Sequence, residues 1–338
     1  MKRWRAAVVG LGAAGNTSDD PPQPGEPRSH AGAYLAHPRF DLIAVTDPEP
    51  RQRERFRQMR MQNGATFPGV ILENIAELAG LKCDVVSLCS PTPTHKKMLL
   101  SLLDIGVKAI FCEKPLSGKI ADSRVMVEAC RQAGVSLAVN FQRRWDEGHR
   151  YFFSAMVEPP IHIEGRYGKG WLNYGSHMVD LLLAHCGSVS RVQAISTIFN
   201  AVAAPNYDPL LDVHLTFECG ITAHLGGIGG VQYDLFDLDF YTAHHCYWLR
   251  YGGCWKGHDN VVANAFYPGY AHLFPAANPK EEPVRGLTGA LSNIAAHLEN
   301  RSIELASTGT SALAVDIILD SAIVSAQRQT AIKISHED

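Results

Sequence analysis

The stretch Ala6-Ala7-Val8-Val9-Gly10-Leu11-Gly12-Ala13-Ala14-Gly15 decides the fold of this chain. Its first four residues are an apolar run that predicts a buried β-strand, and the pattern G-x-G-x-x-G follows directly. Glycine at these positions permits a tight turn and a close approach of the backbone to a pyrophosphate. The stretch therefore predicts a dinucleotide-binding turn made of Gly10, Gly12, Ala13, Ala14 and Gly15.

Asp47 follows the second apolar run, Leu42–Thr46, and is expected at the end of a second strand. A carboxylate in this place accepts hydrogen bonds from the adenosine ribose hydroxyls, and it would repel the 2′-phosphate of NADP. Arg51 and Arg53 follow closely and could soften that repulsion. The pattern favours NAD over NADP as the cofactor.

Residues 16–28 depart from the usual pattern, in which a helix starts directly after the glycine turn. Four prolines prevent this segment from being helical throughout, and helical character resumes near Ser29–Ala36. Two arrangements stay open: a short helical turn after Gly15 followed by a loop, or a helix that starts late. The segment either lies over the cofactor or near the substrate, or it is a disordered surface insertion.

Up to about residue 145, apolar runs alternate with helical segments. The further predicted strands are Asp84–Cys89, Val107–Cys112 and Val135–Asn140, and the predicted helices are Glu49–Gln62, Asn74–Leu81, Thr94–Ile105 and Ser117–Ala133. Such alternation predicts right-handed crossovers and a doubly wound parallel sheet with helices on both faces. We therefore predict an α/β Rossmann domain over residues 1–145, which binds its ligands beyond the carboxyl ends of the strands.

In the second half, strands follow one another without helices between them. After a helix at Tyr174–Cys186, the predicted strands are Val192–Phe199, Leu211–Cys219, Ile221–Ile228, Asp234–Tyr241 and Tyr247–Tyr251. Residues 252–285 are predicted to be a long loop, and helices are predicted at Leu287–Glu299 and Ser311–Gln327. This pattern predicts an α+β domain over residues 146–338 with a large, mostly antiparallel open sheet. The last predicted helix, 311–327, can pack back on the first domain. An open sheet face also predicts a homo-oligomer, either a dimer or a tetramer.

The composition is that of an ordinary globular enzyme. Of the 338 residues, 46% are hydrophobic and 19% are charged, and the net charge of -3 gives no reason to expect nucleic acid or an anionic membrane as the partner. No apolar run approaches the length of a membrane span, and the one near the N-terminus is too short for a signal peptide. The eight cysteines form no Cys-x-x-Cys pair, which favours reduced thiols and a cytoplasmic location.

Four motifs together resemble the Gfo/Idh/MocA family of glucose–fructose oxidoreductases and inositol dehydrogenases. They are Glu113-Lys114-Pro115 after a predicted strand, the loop Cys89-Ser90-Pro91-Thr92-Pro93-Thr94-His95, the exit Asn140-Phe141-Gln142-Arg143-Arg144-Trp145, and the helical motif Gly175-Ser176-His177-Met178-Val179-Asp180. The resemblance extends over nearly the whole chain. It rests on the combination of Glu-Lys-Pro with Gly-x-His-x-x-Asp, because neither motif alone is specific.

The resemblance implies an NAD(P)-dependent oxidoreductase that transfers a hydride to or from a secondary alcohol of a sugar, sugar nucleotide or cyclitol. It implies that Lys114 is catalytic, and His177 is its natural partner in proton transfer because imidazole titrates near neutrality. Besides the glycine turn and Asp47, the implied cofactor-binding residues are Ser90, Pro91, Thr92, His95, Glu113, Lys114 and Asn140.

The substrate-binding residues are expected from both halves of the chain: Lys114, Arg143, Arg144, Lys169, Trp171, Asn173, His177 and Asp180. The arginines and Lys169 suit an anionic group, and Trp171 suits stacking on a sugar ring. Asn173 departs from the family pattern, which usually has Asp four residues before the histidine. An amide binds a hydroxyl but cannot carry a proton, so proton transfer is left to Lys114 and His177.

Two other functions stay open on the same fold. One is a non-catalytic nicotinamide-binding regulator, and the other is an enzyme that oxidises and re-reduces its substrate with tightly held NAD. The histidines and cysteines of the second half match no usual zinc spacing, among them His214 and His224, so the sequence predicts no metal site.

Overall fold

The strand before the glycine turn, β1 (Trp4–Val9), lies inside a six-stranded parallel sheet. The computed structural model of the protein describes residues 2–20, 25, 27–60, 67–196, 208–276 and 281–335. The other strands of this sheet are β2 (Phe40–Thr46), β3 (Val70–Leu72), β4 (Val85–Leu88), β5 (Ala109–Cys112) and β6 (Ser136–Val139). Their order is β3-β2-β1-β4-β5-β6, all parallel, which confirms the predicted Rossmann sheet. The short edge strand β3 was not predicted.

Four helices connect these strands: α1 (His30–Ala36), α2 (Pro50–Arg60), α3 (His95–Ile105) and α4 (Ile120–Ala133). Every residue of β4 and of β5 is buried. This burial on both faces is typical of a strand inside a parallel sheet, and it explains why these runs are apolar without alternation. The predicted short helix Asn74–Leu81 is a single 3₁₀ turn, Ile75–Leu78, with a capping box at Asn74.

The segment after the glycine turn contains both of the arrangements that the sequence left open. A 3₁₀ turn covers Thr17–Asp19, and α1 starts only at His30. The N–H groups of His30 and Ala31 donate to the carbonyls of Ala14 (2.9 Å) and Gly15 (3.0 Å). These bonds place the start of α1 against the end of the glycine turn, and we call the intervening residues 16–29 the excursion.

Asp19 anchors this excursion. Its Oδ1 accepts hydrogen bonds from the backbone N–H groups of Arg28 (2.6 Å) and Ser29 (3.1 Å), and its Oδ2 pairs with Arg60 of α2 at 2.6 Å. The described part of the excursion is therefore held by a charged cluster. The proline-rich residues 21–24 and residue 26 lie outside the described residues.

The second unit contains a nine-stranded sheet of mostly antiparallel strands, which confirms the predicted fold class. Two helices precede most of the strands, α5 (Glu147–Ser154) and α6 (Ser176–Cys186). The strands are β7 (His162–Tyr167), β8 (Val189–Ser196), β9 (Leu211–Phe217), β10 (Thr222–Gly227), β11 (Phe236–Tyr241), β12 (His245–Arg250), β13 (Trp255–Ala263), β14 (Ala271–Pro275) and β15 (Ile332–Lys333). Among the described strand pairs of this second sheet, only β7 and β10 run parallel.

The predicted long loop at 252–285 is wrong, because two strands lie within it. β13 and β14 pair antiparallel as a hairpin at the edge of the sheet. Every residue of β14 is exposed, and β13 is at most half-buried. An edge hairpin with so little burial lacks the apolar alternation by which strands are recognised. The prediction also missed β7 and β15, and the end of the predicted strand Val192–Phe199 lies outside the described residues.

The chain crosses from the first unit to the second after Trp145 and returns for Arg285–Asp316. The returning segment contains α7 (Leu287–Glu299) and the start of α8 (Gly309–Arg328). Leu287, Leu291 and Ile294 are buried in the core of the first unit. The predicted second domain, 146–338, is therefore not one continuous segment, because the apolar face of α7 completes the first unit's core.

Helix α8 is divided between the units after Asp316. It is also a segment with the length and composition of a membrane span, since an 18-residue window has a mean hydropathy of 1.5. The expectation that no apolar run approaches the length of a membrane span concerned uninterrupted runs, and Asp316 and Asp320 interrupt this helix. Half of the window is buried inside the protein, and core helices of this length share the same composition.

Asp316 gives α8 a pH-dependent contribution to stability. Burial raises the pKa of Asp316 to about 6 from its ordinary 3.8, although its carboxylate accepts a hydrogen bond from Ser123 Oγ at 2.6 Å. Between these two pKa values the folded state binds more protons than the unfolded state, so this group destabilises the fold as the pH rises. We expect Asp316→Asn to raise the free energy of unfolding by about 1–3 kcal/mol above pH 7.

Urea unfolding measures this effect. The stability difference between Asp316→Asn and the native chain should shrink as the pH falls through about 6, and it should level off below 3.8, where the carboxyl is mostly protonated in both states. Asp320→Asn is the matched control, because Asp320 is exposed on the same helix. A difference that stays constant with pH, or an equal effect of Asp320→Asn, would contradict the assignment.

Candidate cofactor site and active site

The glycine turn has the geometry that its sequence predicts. Gly10 has φ +92°, and a Cβ at this position would lie 2.7 Å from the Cys89 carbonyl carbon. A Cβ at Gly15 would lie 1.9 Å from the Gly10 carbonyl oxygen. A Cβ at Gly12 would meet no atom within 4 Å. Gly10 and Gly15 are therefore required for the turn itself, whereas Gly12 leaves open space through which a phosphate can approach the backbone.

Asp47 is fixed beside the turn. Its Oδ2 accepts a hydrogen bond from Leu11 N at 2.7 Å, and its Oδ1 accepts one from Glu49 N at 2.8 Å. Arg53 Nη1 donates to the carbonyls of Asp47 (2.7 Å) and Pro48 (2.9 Å). Arg53 is thus engaged with the backbone at the end of β2, so the idea that it softens the Asp47 charge towards a 2′-phosphate loses support.

The loop after β4 is held by side chains at its two ends. Thr94 Oγ1 donates to Ser90 Oγ at 2.7 Å, and His95 Nε2 lies 2.8 Å from the Ser90 carbonyl. His95 Nδ1 lies 3.1 Å from the Leu116 carbonyl, and the ring is 1% exposed. His95 is therefore placed to shape the loop, while the exposed Pro91 and half-buried Thr92 form its surface.

A buried polar network next to Lys114 joins helix α1, strand β4 and the ends of strands β5 and β6. Glu113 Oε1 accepts hydrogen bonds from His30 Nε2 (2.9 Å) and Asn140 Nδ2 (2.7 Å). His30 Nδ1 lies 2.8 Å from Ser87 Oγ, which also contacts the Tyr34 hydroxyl at 2.9 Å. The carboxylate of Glu113 is thus linked to α1, β4 and the end of β6.

The network keeps Glu113 ionised. Burial alone would raise the pKa of Glu113, but the hydrogen bonds from His30 and Asn140 and the charge of Lys114 outweigh burial and hold the pKa below its ordinary value. Glu113 Oε2 also accepts a hydrogen bond from the Lys114 backbone N–H at 3.2 Å. The ionised carboxylate therefore fixes the backbone that carries Lys114.

Sequence reasoning missed His30. The excursion of residues 16–29 separates His30 from the glycine turn along the chain, so no motif spacing connects the two. The only available signal was that helical character resumes at Ser29. In the fold, the bond from His30 N to Ala14 O brings this residue to the end of the turn.

The residues of the first unit fit a nicotinamide dinucleotide. The open space at Gly12 would admit a pyrophosphate, and the carboxylate of Asp47, held beside the turn, would face a ribose. Asn140 directly follows β6, the edge strand of the sheet. Its Oδ1 is buried and has no hydrogen-bond partner among the described residues. A buried acceptor of this kind is satisfied when a ligand supplies a donor. We take Asn140, Glu113 and the Ser90–Thr92 loop as the residues that would hold the nicotinamide end.

In the second unit, a π-helical turn at Gly170–Gly175 leads directly into α6. Asp208 holds this turn by accepting hydrogen bonds from the N–H groups of Leu172 (2.7 Å) and Asn173 (2.9 Å). Asn173 is exposed, whereas His177 is 9% exposed and Asp180 is 1% exposed. π-Helical turns occur often at functional sites, and this one contains Asn173 and leads into the first turn of α6, which contains His177.

Two predicted substrate contacts need correction or restriction. Trp171 is fully buried, donates from Nε1 to the Leu319 carbonyl at 3.1 Å and packs against Tyr167. The prediction that Trp171 stacks on a sugar is therefore wrong, because its ring belongs to the core. Lys169 is exposed but forms an ion pair with Asp234. The hydrogen bond in this pair raises the pKa of Lys169. An anionic ligand would have to displace Asp234.

Both arginines after β6 lie in a 3₁₀ turn, Gln142–Arg144, at the end of the first unit. Arg143 is 7% exposed, and Arg144 Nη1 donates to the Ala306 carbonyl at 3.3 Å. Arg144 is thus tied to the returning segment of its own unit. Lys114 and the arginines belong to the first unit, and His177 and Asp180 belong to the second.

Comparison with known proteins agrees with this geometry. Residues 4–141 match the family model described as an oxidoreductase family with an NAD-binding Rossmann fold. The first unit is thus similar to the NAD-binding Rossmann domains of this family. Across these residues the chain matches the Gfo/Idh/MocA family, in agreement with the resemblance that the motifs indicate.

Curated relatives are similar over part of their length. D-apiose dehydrogenase of Paraburkholderia graminis is 25% identical over 244 residues, which cover 66% of this chain and 60% of the relative. Inositol 2-dehydrogenase of Rhodococcus jostii is 32% identical over 200 residues, which cover 58% of this chain and 44% of the relative. The matches thus span about half the length of these relatives.

Solved structures are similar over the whole chain. The WlbA dehydrogenase from Bordetella pertussis was solved with NADH and UDP-GlcNAcA. It has a TM-score of 0.75 at 16% identity, and the match covers 99% of this chain and 100% of that one. UDP-N-acetylglucosamine 3-dehydrogenase GnnA from Acidithiobacillus ferrooxidans has a TM-score of 0.76 at 16% identity, with 97% of this chain and 99% of that one covered. At this identity the likeness establishes the fold.

Proposed function

We propose that the protein is an NAD-dependent dehydrogenase or reductase that acts on a secondary alcohol or ketone of a sugar, sugar nucleotide or cyclitol. The observation that carries the proposal is the Glu113 network, which fixes the backbone of Lys114 at the end of β5, within the same sheet edge as the glycine turn. The relatives that match the chain are named as sugar and inositol dehydrogenases, which supports this substrate class.

In the proposed reaction, the CH–OH group loses a hydride from its carbon and a proton from its oxygen, each to a different acceptor. Bound NAD⁺ would supply the hydride acceptor for the carbinol carbon, and the hydroxyl proton passes to a base of the protein. Lys114 polarises the reacting oxygen as an ammonium or accepts its proton as an amine, and His177 exchanges that proton with solvent. In the reductive direction both steps reverse. Asn173 can bind a substrate hydroxyl, but its amide cannot replace either proton carrier.

The rest of the site is assigned on the same basis. Gly10, Gly12, Ala13, Ala14 and Gly15 would bind the pyrophosphate, and Asp47 would bind the adenosine ribose and favour NAD over NADP. Arg143, Arg144, Lys169, Asn173 and Asp180 stay predicted substrate contacts. We further infer a cytoplasmic homo-oligomer, a dimer or tetramer, with a small-molecule substrate and neither nucleic acid nor a membrane as its partner. All eight cysteines are free, which supports a reducing compartment.

A substrate panel tests this function. Sugars, sugar nucleotides and cyclitols are incubated with NAD⁺ or NADP⁺, and nicotinamide absorbance is followed. We expect saturable turnover with at least one panel member and preference for NAD⁺. His177→Asn serves as the matched loss variant, because an amide keeps hydrogen bonding but cannot titrate. Turnover that is unchanged in His177→Asn would remove His177 from the mechanism.

Two alternatives predict other results in the same experiment. A nicotinamide-binding regulator would bind NADH and turn over no panel member, and Asn173 is the residue that favours it. A redox-cycling enzyme would retain cofactor through purification and convert substrate without net change in nicotinamide absorbance. Release of bound cofactor by denaturation distinguishes the redox-cycling enzyme from a freely exchanging dehydrogenase.

A further inference from the structure

The polar face of the second unit's sheet carries a cluster of imidazoles and carboxylates apart from the residues assigned above. Side chains alternate along each strand, so Ile163, Val213 and Leu225 are buried on one face while the cluster lies on the other. The cluster members are Glu164 on β7, Asp212 and His214 on β9, and His224 on β10.

Sheet register brings these residues together. His224 pairs directly with His214 on the antiparallel neighbour β9, and Asp212 lies two residues from His214 on the same face. On its other side, His224 pairs with Glu164 on the parallel neighbour β7. His214 and His224 stack with centroids 4.5 Å apart. Because the residues come from three strands, their sequence spacing gives no metal-binding pattern.

The distances within the cluster match a coordination sphere. Nε2 of His224 lies 2.8 Å from Asp212 Oδ1, and Nε2 of His214 lies 3.5 Å from the same oxygen. The candidate ligand atoms of these three residues all lie within 4.8 Å of one another. Two ligands bound tetrahedrally to zinc at about 2.0–2.1 Å are about 3.3 Å apart, a value between the two measured distances.

Glu164 supplies the outer contact that metal-binding histidines usually have. Its Oε2 lies 2.9 Å from His224 Nδ1. A carboxylate on Nδ1 fixes the ring orientation and leaves the Nε2 lone pair for a metal ion. The remaining Oε1 of Glu164 lies 3.2 Å from His162 Nε2, so the carboxylate is itself held in place.

We propose that Asp212, His214 and His224 form a binding site for a divalent transition-metal ion of the zinc class, with Glu164 orienting His224. Two imidazoles and one carboxylate are a common ligand set for Zn²⁺, Co²⁺ and related ions, and they leave a position open for water. The ion would join β9 to β10 and stabilise the second unit. This proposal departs from the sequence expectation of no metal, and it does not depend on the proposed dehydrogenase activity.

Metal titration of the full chain tests the site. The protein is dialysed against a chelator and titrated with Co²⁺, whose visible absorption reports the ligand geometry, and Zn²⁺ is then added as a competitor. We expect one saturable Co²⁺ per chain with four-coordinate absorption, displacement by Zn²⁺, and a higher melting temperature in the presence of Zn²⁺.

Variants separate this site from adventitious binding. His224→Gln and His214→Asn should lose the saturable Co²⁺ spectrum, and Glu164→Gln should weaken binding by about 10–100-fold. His272→Asn is the matched control, because His272 lies on the exposed edge strand β14 and should not change the titration.

Several outcomes would overturn the proposal. These are no saturable binding to the native chain, equal binding in His224→Gln, or an equal loss in His272→Asn. If a ligand variant melts at a lower temperature than the native chain without metal, Glu164→Gln decides, since it leaves all three ligands in place. Unchanged affinity in Glu164→Gln would then contradict the site.

Discussion

Replacement of Lys114 by methionine should lower turnover by about 10²–10⁴-fold, the usual contribution of a positioned acid–base group. Methionine keeps much of the length of the side chain and removes its charge and its titratable amine. NADH binding should persist, because the backbone N–H of residue 114 still donates to Glu113 and the glycine turn is untouched. Steady-state rates on the best panel substrate and an NADH titration measure the two effects.

Lys97→Met is the control for this change, since Lys97 is exposed on α3. It should retain native rates. Lys114→Arg adds a finer test, because guanidinium keeps the positive charge but does not deprotonate. Activity retained in Lys114→Arg would assign Lys114 to polarising the oxygen, and activity lost would assign it to proton transfer. Native turnover in Lys114→Met would exclude both roles.

Alanine at Gly12 and at Gly15 should have opposite effects on folding and binding. At Gly15 the new Cβ would lie 1.9 Å from the Gly10 carbonyl oxygen, so the turn must open. We expect a loss of stability of about 1–3 kcal/mol or more from this overpacking. At Gly12 the added Cβ meets nothing within 4 Å. Gly12→Ala should therefore keep the native melting temperature and lose NADH affinity, because the methyl group occupies the space of the pyrophosphate.

Thermal unfolding and NADH titration of the two variants give the comparison. Gly118→Ala is the matched control, because a Cβ there also meets nothing within 4 Å and Gly118 lies outside the turn. It should be native by both measures. Unchanged NADH affinity in Gly12→Ala would mean that the pyrophosphate does not pass over this glycine. A native melting temperature in Gly15→Ala would contradict the close approach seen in the turn.

The Rossmann sheet was predictable because its determinants are local. An apolar strand, a glycine turn and an acid after the next strand lie within 47 residues of sequence. The edge hairpin β13–β14 was not predictable, since its strands are exposed and lack the alternation that indicates a strand. The position of α7 along the chain predicted that it belongs to the second domain. Its buried face instead packs in the core of the first unit.

The candidate site shows the same division between local and distant information. Glu113, Lys114 and Asn140 follow predicted strands, so the sequence could place them at one sheet edge. His30 could not be placed, because the excursion of residues 16–29 hides its position beside the turn. Trp171 has an aromatic side chain of the kind that stacks on sugar rings, yet the side chain is fully buried and belongs to the core. The cluster around His224 depends on the register of three strands, which no spacing rule contains.

The most direct test of the central claim is a titration of the purified chain with NADH and NADPH, read by energy transfer from tryptophan. A denatured sample is first examined for cofactor that is already bound. We expect saturable binding with NADH preferred, because the carboxylate of Asp47 is held beside the glycine turn, where we propose that it binds the ribose, and Arg53 is engaged with the backbone. Absence of both binding and co-purified cofactor would contradict it, and a preference for NADPH would contradict the role of Asp47.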